Sequence, residues 1–401
     1  MNVLNRFFSR CALSLIDLYQ ATISPDKSPI FRHWLSWRIC AHEPHCSEYW
    51  KQCFQRYPFF TALHYTMERV SSCVPRYEKQ YDPSSYRVVF FSSSPIGVPF
   101  LHAIAEDARF DLVGVVTMPD APVGRGMKVQ ENVIKVESGK LKVEDAYILT
   151  PRSLRLDSKK YAADAQTFHQ WVTELQPDLF VVIAYGHIMP QRVLDIPVFG
   201  SINVHGSLLP EYRGASPLQS VFLDGKEETW LTIMKMDAGV DTGDMIKKLT
   251  TPLLLHWTVI DLIDWIKKQW PMFLNTVLRE WCKWLLAPIQ QDATQATLCR
   301  KFAKEDGQID PFHDDLLQVR QQRQAFALWP KLYFFWEEKR VTIETLLLHA
   351  TTTREALKWG KLISQTWGVF SLHASVASLR LIPEGKKSLS WEEFVHGYMK
   401  K

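Results

Sequence analysis

The sequence predicts a multi-domain α/β protein whose largest domain is built on a mostly parallel sheet. Its 401 residues provide for two to four domains at roughly 100–200 residues each. Residues 87–117 have the pattern of a strand, a turn, a helix and a second strand, which predicts a βαβ unit. Short strand-like runs near the carboxyl terminus predict a second, smaller β domain.

Composition and charge exclude several classes of protein. The chain is 46% hydrophobic and 22% charged, close to a folded soluble protein, which excludes collagen-like, disordered and coiled-coil chains. The formal net charge is only +4, so a nucleic-acid surface has to be a local patch. The uncharged run 88–105 contains two prolines and three consecutive serines. It therefore predicts a strand, a turn and a helix, and not a membrane span.

The first part of the chain predicts a small helical domain that begins with an amphipathic helix. Arg6 and Arg10 are followed by an apolar run that is too short and too interrupted for a secretory signal. The apolar stripe of such a helix contacts either a membrane surface or the rest of its own domain. The residues that form the stripe, at steps of three and four, are Leu4, Phe7, Phe8, Cys11, Leu15 and Leu18.

The cysteines are concentrated in this first domain. Five of the seven lie within the first 73 residues, and without a secretory signal we expect reduced thiols. Cys40, His42, His45 and Cys46 are potential zinc ligands, but their spacing matches no standard zinc knuckle. We therefore expect buried, packed thiols and no metal.

Apolar runs bounded by turn residues predict the elements of the large domain in order. The turn-rich residues 81–86 mark its start. The predicted strands are 87–91, 112–117, 178–185, 201–205, 230–236 and 245–249, and the predicted helices are 98–106 and 259–286. The polar residues 288–297 predict a linker. The strands predicted for the small β domain are 332–336, 340–343, 369–372 and 378–382.

The strand 201–205 carries the most informative side chains. Residues two apart on a strand share a face, so Asn203 and His205 project together. An amide donor beside an imidazole suits the stabilisation of an oxyanion next to an acid or base. The alternative is that both residues are structural: Asn203 would cap the turn, and His205 would be a core histidine whose ring nitrogens are hydrogen-bonded within the protein.

Three carboxylates follow in a glycine-containing turn between two predicted strands. They belong to Asp237, Asp241 and Asp244. One of them, placed against His205, would complete an acid–base set of amide, imidazole and carboxylate. The spacing does not choose among the three, and aspartates in turns are often only turn formers.

From residue 87 to the carboxyl terminus, the chain resembles the methionyl-tRNA formyltransferases. The run Asn-x-His-x-Ser-Leu-Leu-Pro, together with the Asp-Thr-Gly-Asp turn, is specific to folate-dependent formyltransferases, and the C-terminal motifs narrow the resemblance to the tRNA-directed branch. The matching segments are 89–91, 98–101, 115–120, 124–126, 182–186, 188–190, 202–210, 212–217, 233–244, 304–310, 325–326, 329–330, 383–387 and 391–394.

The resemblance implies a Rossmann-like catalytic domain, a small C-terminal β-barrel (OB-like) domain, and a defined reaction. The family transfers the formyl group of 10-formyltetrahydrofolate to the amino group of methionyl initiator tRNA, and it requires no metal. By match to the family motif, Asn203, His205 and Asp241 are the catalytic residues. The residues implied to bind the folate are Tyr185, Gly186, Ile188, Ser207, Leu208, Leu209, Pro210 and Asp237.

The family also implies tRNA contact through the C-terminal domain and through the loop after Asp120. Residues 301–401 hold 15 basic and 12 acidic residues, a net charge of +3, so the electrostatic field there is modest. The residues that we expect to contact tRNA are Arg125, Arg213, Lys386 and Lys387.

Three departures from the family pattern bear on tRNA contact or efficiency and not on the transfer chemistry. Residues 92–94 are serines where the family has Gly-Thr-Pro. Glu131 and Glu137 make the loop after Arg125 less basic than in the family. Gln324 stands where the family has an arginine before the Ala-Phe pair.

Residues 1–85 resemble a different family, the membrane protein insertion efficiency factors. The resemblance implies a role at the cytoplasmic face of the membrane near the insertase machinery, with the amphipathic N-terminus as the surface contact. The net charge of this segment, +3 from 10 basic and 7 acidic residues, helps binding to an anionic leaflet without anchoring the chain. The matching residues are Tyr19, Gln20, Ile23, Ser24, Pro25, Cys40, Pro44, Cys46, Ser47, Glu48, Tyr49, Arg69, Cys73, Pro75, Tyr81, Asp82 and Pro83.

We therefore predict a fusion of two proteins in four segments. These are a helical insertion-factor domain (1–85), a formyltransferase domain (86–287), a linker (288–303) and an OB-like tRNA-binding domain (304–401). We expect a cytoplasmic monomer that is peripheral on the inner membrane. The alternatives are a formyltransferase acting on an amino-sugar nucleotide, which shares the Asn–His–Asp set, and a membrane-associated assembly factor with a decayed enzyme domain.

Overall fold

The computed structural model describes residues 3–22, 42–71, 80–123, 127–349, 361–366 and 369–399. Its first domain consists of three helices and one short pair of strands. A small core of Ile16, Tyr49, Cys53, Phe54, Tyr57 and Ala62 holds the helices together. The elements are α1 (Val3–Thr22), β1 (His42–Glu43), α2 (Cys46–Arg56), α3 (Phe59–Ser71) and β2 (Gln80–Tyr81).

The amphipathic helix predicted at the start of the chain is α1, and its apolar stripe faces outward. Phe7, Leu15 and Leu18 are each at least 60% exposed, whereas Ser9 and Ile16 on the opposite face are buried. These three side chains are therefore not packed on the described residues of their own domain, whereas Phe8 of the stripe contacts Phe59. Cys11, which lies on the stripe, is exposed as well, so the expectation of packed thiols is wrong for this residue.

The other thiols of the first domain differ in their surroundings. Cys53 is buried in the core and Cys46 is half-buried. Cys40 and Cys73 lie outside the described residues. Within the described ranges, no group of three or more His, Cys, Asp or Glu side chains is arranged to hold a metal ion. No helix in the described part of the chain has both the length and the apolarity that a membrane crossing needs.

The second domain is a seven-stranded sheet with helices on both faces, which confirms the predicted α/β fold. The strand order is β12-β11-β9-β8-β3-β4-β7, and the five strands from β9 to β7 are parallel. The elements are β3 (Tyr86–Ser92), α4 (Val98–Glu106), β4 (Phe110–Val116), β5 (Ala121–Val123), β6 (Lys128–Gln130), α5 (Val133–Lys140), β7 (Ile148–Leu149), α6 (Ala162–Leu175), β8 (Leu179–Ile183), α7 (Gln191–Leu194), β9 (Ser201–His205), β10 (Arg213–Gly214), α8 (Pro217–Leu223), β11 (Glu228–Lys235), β12 (Met245–Pro252) and α9 (Val259–Cys282).

The central strands are apolar because both faces of the sheet are covered. All five residues of β8 are buried, and their side chains alternate between two separate cores. This near-continuous apolar pattern is typical of parallel strands that lie between two layers of helices. The antiparallel pair β11 and β12 closes one edge of the sheet beside β9.

The third domain is built on antiparallel strands, which confirms the predicted small β domain, and it also contains helices. A four-stranded sheet has the order β14-β15-β18-β19, and β16 pairs with β17. Arg320 and Gln324 are buried and donate hydrogen bonds to backbone carbonyls of the second domain, at Leu255 and Trp257. The linker contains β13 (Leu298–Cys299), and the elements of the third domain are α10 (Leu316–Ala325), β14 (Tyr333–Trp336), β15 (Lys339–Leu348), β16 (Ile363–Thr366), β17 (Val369–Leu372), β18 (Val376–Pro383), β19 (Leu389–Ser390) and α11 (Trp391–Phe394).

The first and second domains meet around the buried side chain of Arg109, which precedes β4. Its guanidinium donates hydrogen bonds to the Tyr49 hydroxyl (3.1 Å) and to the Ser84 carbonyl (3.2 Å). It also lies over the rings of Tyr65 and Tyr86, 5.2 and 5.3 Å from their centroids. A buried arginine with acceptors and aromatic faces around it is well satisfied, so this contact has the character of a protein interior.

Ion pairs surround this buried contact. Arg56 of α2 makes a bidentate pair with Asp111 of β4 (3.0 and 2.6 Å). Lys283, just after α9, pairs with Glu68 of α3 at 2.7 Å. Since Asp111 lies near the amino end of β4, the first domain sits at the amino edge of the parallel sheet.

Candidate functional site

The candidate site lies at the carboxyl edge of the sheet, where β9 ends beside β8. Asn203 is aligned with Val182 of β8 on one side and with Met234 of β11 on the other. Asn203 is half-buried and His205 is buried. Within the described part of the chain, the Asn203 amide makes no hydrogen bond to protein atoms, so it is available to a ligand.

His205 is held between a backbone carbonyl and a carboxylate. Its Nε2 lies 2.9 Å from the carbonyl oxygen of Tyr212, and its Nδ1 lies 3.5 Å from Oδ1 of Asp241. Because a carbonyl only accepts hydrogen bonds, Nε2 carries a proton. In the neutral ring, Nδ1 is then the nitrogen with a free lone pair, and it faces Asp241.

Asp241 is the carboxylate that reaches His205, out of the three in the turn between β11 and β12. Its Oδ2 accepts a hydrogen bond from the Gly214 amide (2.9 Å), which leaves Oδ1 toward the imidazole. The Asp237 carboxylate instead caps its own turn, accepting from the Thr242 hydroxyl (2.6 Å) and the Gly239 amide (3.1 Å). Asp237 is therefore a turn former in this structure.

The loop after β8 lies next to this site and turns sharply. Ala184 and Gly186 both have positive φ angles, of 47° and 89°. The Tyr185 side chain points into the core, where burial raises the pKa of its hydroxyl. Burial also lowers the pKa of His187. Ile188, by contrast, is 68% exposed. Among the loop residues predicted to bind folate, it therefore has an apolar side chain on the surface that a ligand can contact.

The segment after His205 is packed tightly under the site. The side chains of Ser207 and Leu209 are fully buried. The Ser207 hydroxyl donates to the Glu211 carbonyl at 2.6 Å, and Lys248 donates to the Leu209 carbonyl at 2.9 Å. Leu208 and Pro210 are half-buried. Ser207 and Leu209 thus shape the loop, while the two half-buried residues have surface to offer a ligand.

The residues predicted to contact tRNA differ in their exposure to solvent, and one of them lies outside the described residues. Lys386 and Lys387 are exposed on the turn after β18. Arg125 lies outside the described residues. Arg213 is buried, and its guanidinium donates to Oε1 of Gln291 at 3.0 and 2.7 Å. This burial gives Arg213 a structural partner in place of the predicted tRNA contact.

The serines that replace the family's Gly-Thr-Pro turn brace the loop after β8. The Ser93 hydroxyl donates to the Tyr185 carbonyl (2.9 Å) and accepts from the Met118 amide (3.1 Å). Ser94 caps the short 3₁₀ turn Pro95–Gly97 by accepting from the Ile96 amide. The altered turn therefore supports the loop that borders the site.

Three residues that organise the site were not predicted from the sequence: Tyr212, Gly214 and Gln291. Gly214 has a φ of 116°, and a Cβ there would lie 2.4 Å from the Cys299 carbonyl oxygen. The glycine that follows Arg213 was the only local signal of this close approach. Gln291 lies 50 residues beyond Asp241 in the chain, and no pattern in the sequence connects the two.

Comparison with known families assigns every domain of the chain. Residues 86–278 match the sequence model described as "Formyl transferase", and residues 301–399 match "Formyl transferase, C-terminal domain". Residues 8–85 match "Putative membrane protein insertion efficiency factor". The two formyl transferase models together cover more than two thirds of the chain.

Solved structures show the same fold. HypX from Aquifex aeolicus is 14% identical over 79% of this chain and 50% of that chain, with a TM-score of 0.51. HypX in complex with tetrahydrofolic acid is 14% identical over 79% of this chain and 48% of that chain, with a TM-score of 0.50. This chain thus spans about half the length of HypX.

A methionyl-tRNA formyltransferase from Clostridium thermocellum is 16% identical over 67% of this chain and 95% of that chain, with a TM-score of 0.46. At such identities, the likeness to HypX establishes the fold, and the family models establish the family. The chain therefore belongs to the formyl transferase family and carries, ahead of its two formyl transferase domains, a domain of the membrane protein insertion efficiency factor family.

Proposed function

We propose that the chain transfers the formyl group of 10-formyltetrahydrofolate to the α-amine of methionyl initiator tRNA. The observation that supports this proposal is the cluster at the carboxyl edge of β9. There an unpaired amide, Asn203, stands beside an imidazole whose Nδ1 faces the carboxylate of Asp241. These are the groups that acyl transfer from an amide-like donor to an amine requires.

The proposed reaction uses each group in turn. The amine attacks the formyl carbon, a C–N bond forms, and the formyl oxygen becomes an oxyanion that accepts a hydrogen bond from the Asn203 amide. Nδ1 of His205 takes the proton that the amine loses, and Asp241 stabilises the resulting imidazolium. The bond to N10 of the folate then breaks, and N10 takes a proton from His205 to give tetrahydrofolate.

The proposed folate position is the space between the loop after β8 and the turn that carries Asp241. Both segments reach the carboxyl edge, where ligands of open parallel sheets bind. Ile188 and Leu208 have surface available to contact the pteridine ring.

The proposed tRNA contact is the C-terminal domain. A polynucleotide substrate needs positive charge beyond the catalytic pocket, and Lys386 and Lys387 present two neighbouring exposed ammonium groups on one turn. Because the net charge of residues 301–401 is only +3, few phosphates would be neutralised, and we expect the affinity for tRNA to depend only weakly on salt.

The test is a transfer assay with the full chain, 10-formyltetrahydrofolate and methionyl initiator tRNA. We expect formylmethionyl-tRNA to form and a nucleotide-linked amino sugar to remain unmodified under the same conditions. Formylation of the sugar and not of the tRNA would assign the alternative substrate. Absence of both products, with charged tRNA and fresh folate, would identify a decayed enzyme domain.

We propose a second function, membrane-surface binding, for the first domain. The stripe on α1 continues onto α3, where Phe60 and Met67 are 71% and 61% exposed. The two helices touch through the rings of Phe8 and Phe59, whose centroids are 5.4 Å apart. A continuous apolar surface of this kind on a folded domain is typical of an interaction site.

Charge at the edge of this surface favours an anionic bilayer as its partner. Arg6 and Arg10 are exposed on α1 beside the stripe. The acidic residue of the same helix, Asp17, is paired with Lys51 at 2.7 Å. A helix with an apolar face and flanking cations lies in the plane of a membrane surface.

We predict that the double substitution Phe7→Ser and Leu15→Ser weakens binding to anionic phospholipid vesicles by at least about tenfold. Withdrawing one large apolar side chain from the bilayer costs roughly 1.5–3 kcal/mol, and 1.4 kcal/mol is a tenfold change. Vesicle co-sedimentation measures the effect. The matched control is Leu347→Ser, at a leucine of β15 that is 55% exposed. Equal loss of binding in the control would contradict the assignment to α1.

A further inference from the structure

The polar segment predicted as a linker between the second and third domains lies against the candidate site. Ile289 exchanges two backbone hydrogen bonds with Met245, at 2.9 and 2.8 Å. Further along, β13 pairs in parallel with β10, so that Leu298 is aligned with Arg213 and Cys299 with Gly214. The linker thus forms ordered structure beside both segments that contact His205.

Between these two attachments, the side chain of Gln291 is buried and fully hydrogen-bonded. Its Nε2 donates to the carbonyl oxygens of Asp241 (2.9 Å) and Gly243 (2.6 Å). Its Oε1 accepts from Nε and Nη2 of Arg213 (3.0 and 2.7 Å). Both amide hydrogens and both acceptor positions are therefore in use, which is the full capacity of the group.

The backbone that Gln291 holds is strained and faces the site. Asp241 has a φ of 53°, a left-handed conformation that non-glycine residues rarely adopt. The bond from Gln291 to the Asp241 carbonyl fixes that peptide. The carboxylate of the same residue is then anchored through Oδ2 to the Gly214 amide, with Oδ1 toward His205.

The other partner, Arg213, connects Gln291 to the second segment of the site. The residues on either side of Arg213 contact the two groups of the proposed acid–base pair. The Tyr212 carbonyl accepts from Nε2 of His205, and the Gly214 amide donates to Asp241. One amide side chain therefore bonds both the turn that carries the carboxylate and the segment that orients the imidazole.

We propose that Gln291 is a positioning residue, which sets the distance and orientation between Asp241 and His205 from within the interdomain linker. The inference rests on the proposed function, since it assigns to these two residues the proton transfer described above. It adds a consequence for the linker. The linker then supports the catalytic geometry as well as connecting the second and third domains.

The test compares Gln291→Met with Gln290→Met in the full-length protein. Methionine matches glutamine in length but supplies neither the donors nor the acceptor, whereas Gln290 is exposed and serves as the matched control. We expect Gln291→Met to lower kcat for formyl transfer about tenfold or more, because small displacements of reacting groups have effects of this size. We expect KM for folate and for tRNA to change less than about threefold, since Gln291 is buried and its side-chain polar atoms already bond to protein groups.

A second readout does not depend on substrate. In Gln291→Met, the ¹⁵N NMR signals of the His205 ring, identified by their loss in His205→Gln, should shift from their wild-type positions, because the hydrogen bonding of Nδ1 changes. They should not shift in Gln290→Met. The NMR shift can be measured even if the protein is inactive on tRNA. It therefore distinguishes failure of the inference about Gln291 from failure of the proposed function.

Two results would overturn the proposal. One is a kcat within about threefold of the Gln290→Met control together with unchanged His205 signals. The other is a rise in KM at unchanged kcat, which would assign Gln291 to substrate binding. If Gln291→Met does not fold, Gln291→Glu decides by the same criteria. Glutamate keeps the acceptor for Arg213 and removes both donors to the Asp241 turn.

Discussion

Replacing His205 by alanine is expected to lower kcat/KM for formyl transfer at least about a hundredfold, because a positioned acid or base contributes factors of this size. The structure gives the reason. Nε2 is committed to the Tyr212 carbonyl, so Nδ1, 3.5 Å from Asp241, is the ring nitrogen that can take the proton from the amine. Water entering the cavity left by the imidazole is a far weaker base at neutral pH.

The control for this substitution is His102→Ala, at a histidine of α4 that pairs with Glu137 away from the site. Its kcat/KM should stay within about threefold of wild type. Asn203→Ala should cost as much as His205→Ala, since it removes the amide donor to the oxyanion. Because the two residues act in one step, the double variant should lose less than the product of the single effects. A loss below about threefold in His205→Ala would remove the imidazole from the mechanism.

Replacing Arg109 by methionine is expected to destabilise the whole protein by about 3 kcal/mol, in the range typical of breaking a buried charged contact. Arg109 is 3% exposed, and its guanidinium donates hydrogen bonds to Tyr49 and Ser84. Methionine fills much of the space but removes the donor to the Tyr49 hydroxyl and leaves the Ser84 carbonyl with its bond from the Tyr57 hydroxyl. Because the partners belong to the first domain and Arg109 to the second, the loss falls on the contact between the domains.

Urea unfolding followed by tryptophan fluorescence measures this change in the free energy of unfolding. The control is Arg155→Met, at an exposed arginine whose only ion pair in the described structure is with Asp157 on the surface. Exposed pairs contribute about 0–1 kcal/mol. If the two variants unfolded at the same urea concentration, the Arg109 contact would be unimportant for stability.

A protein that starts at residue 87 should likewise be less stable than the full chain, since it lacks every partner that the first domain supplies.

The elements that could be predicted are those whose signal lies within the element. The strand over 201–205 and the helix over 98–106 were predicted with the observed bounds, because an apolar pattern and flanking turn residues define them. Helix α6 was missed although its buried residues Ala165, Phe168, Val172 and Leu175 recur at helical spacing. The two-residue strands β10 and β13 carry no pattern of their own, since they exist only through pairing with each other.

The residues of the candidate site also fall into those that a local pattern predicts and those that only tertiary contacts determine. Asn203 and His205 were found because the two-residue period of a strand places them on one face. The choice among the three carboxylates could not be made from spacing. It depends on a left-handed backbone at Asp241 and on the Gly214 amide, and both follow from tertiary contacts. The burial of Arg213 could not be predicted from the sequence either, because its partner Gln291 lies 78 residues away in the chain.

The attachment of the first domain at the amino edge of the sheet has an electrostatic consequence for an enzyme proposed to serve tRNA beside a bilayer. The seven residues of β3 span roughly 20 Å at about 3.3 Å per residue. In the proposed arrangement, this length of sheet would separate lipid headgroups at the first domain from a tRNA acceptor end at the carboxyl edge. Ionic screening acts over about 8 Å at physiological salt, so repulsion between the two polyanions falls to about a tenth or less across this distance. In that arrangement, the protein would approach an anionic surface and an anionic substrate at once without strong repulsion between them.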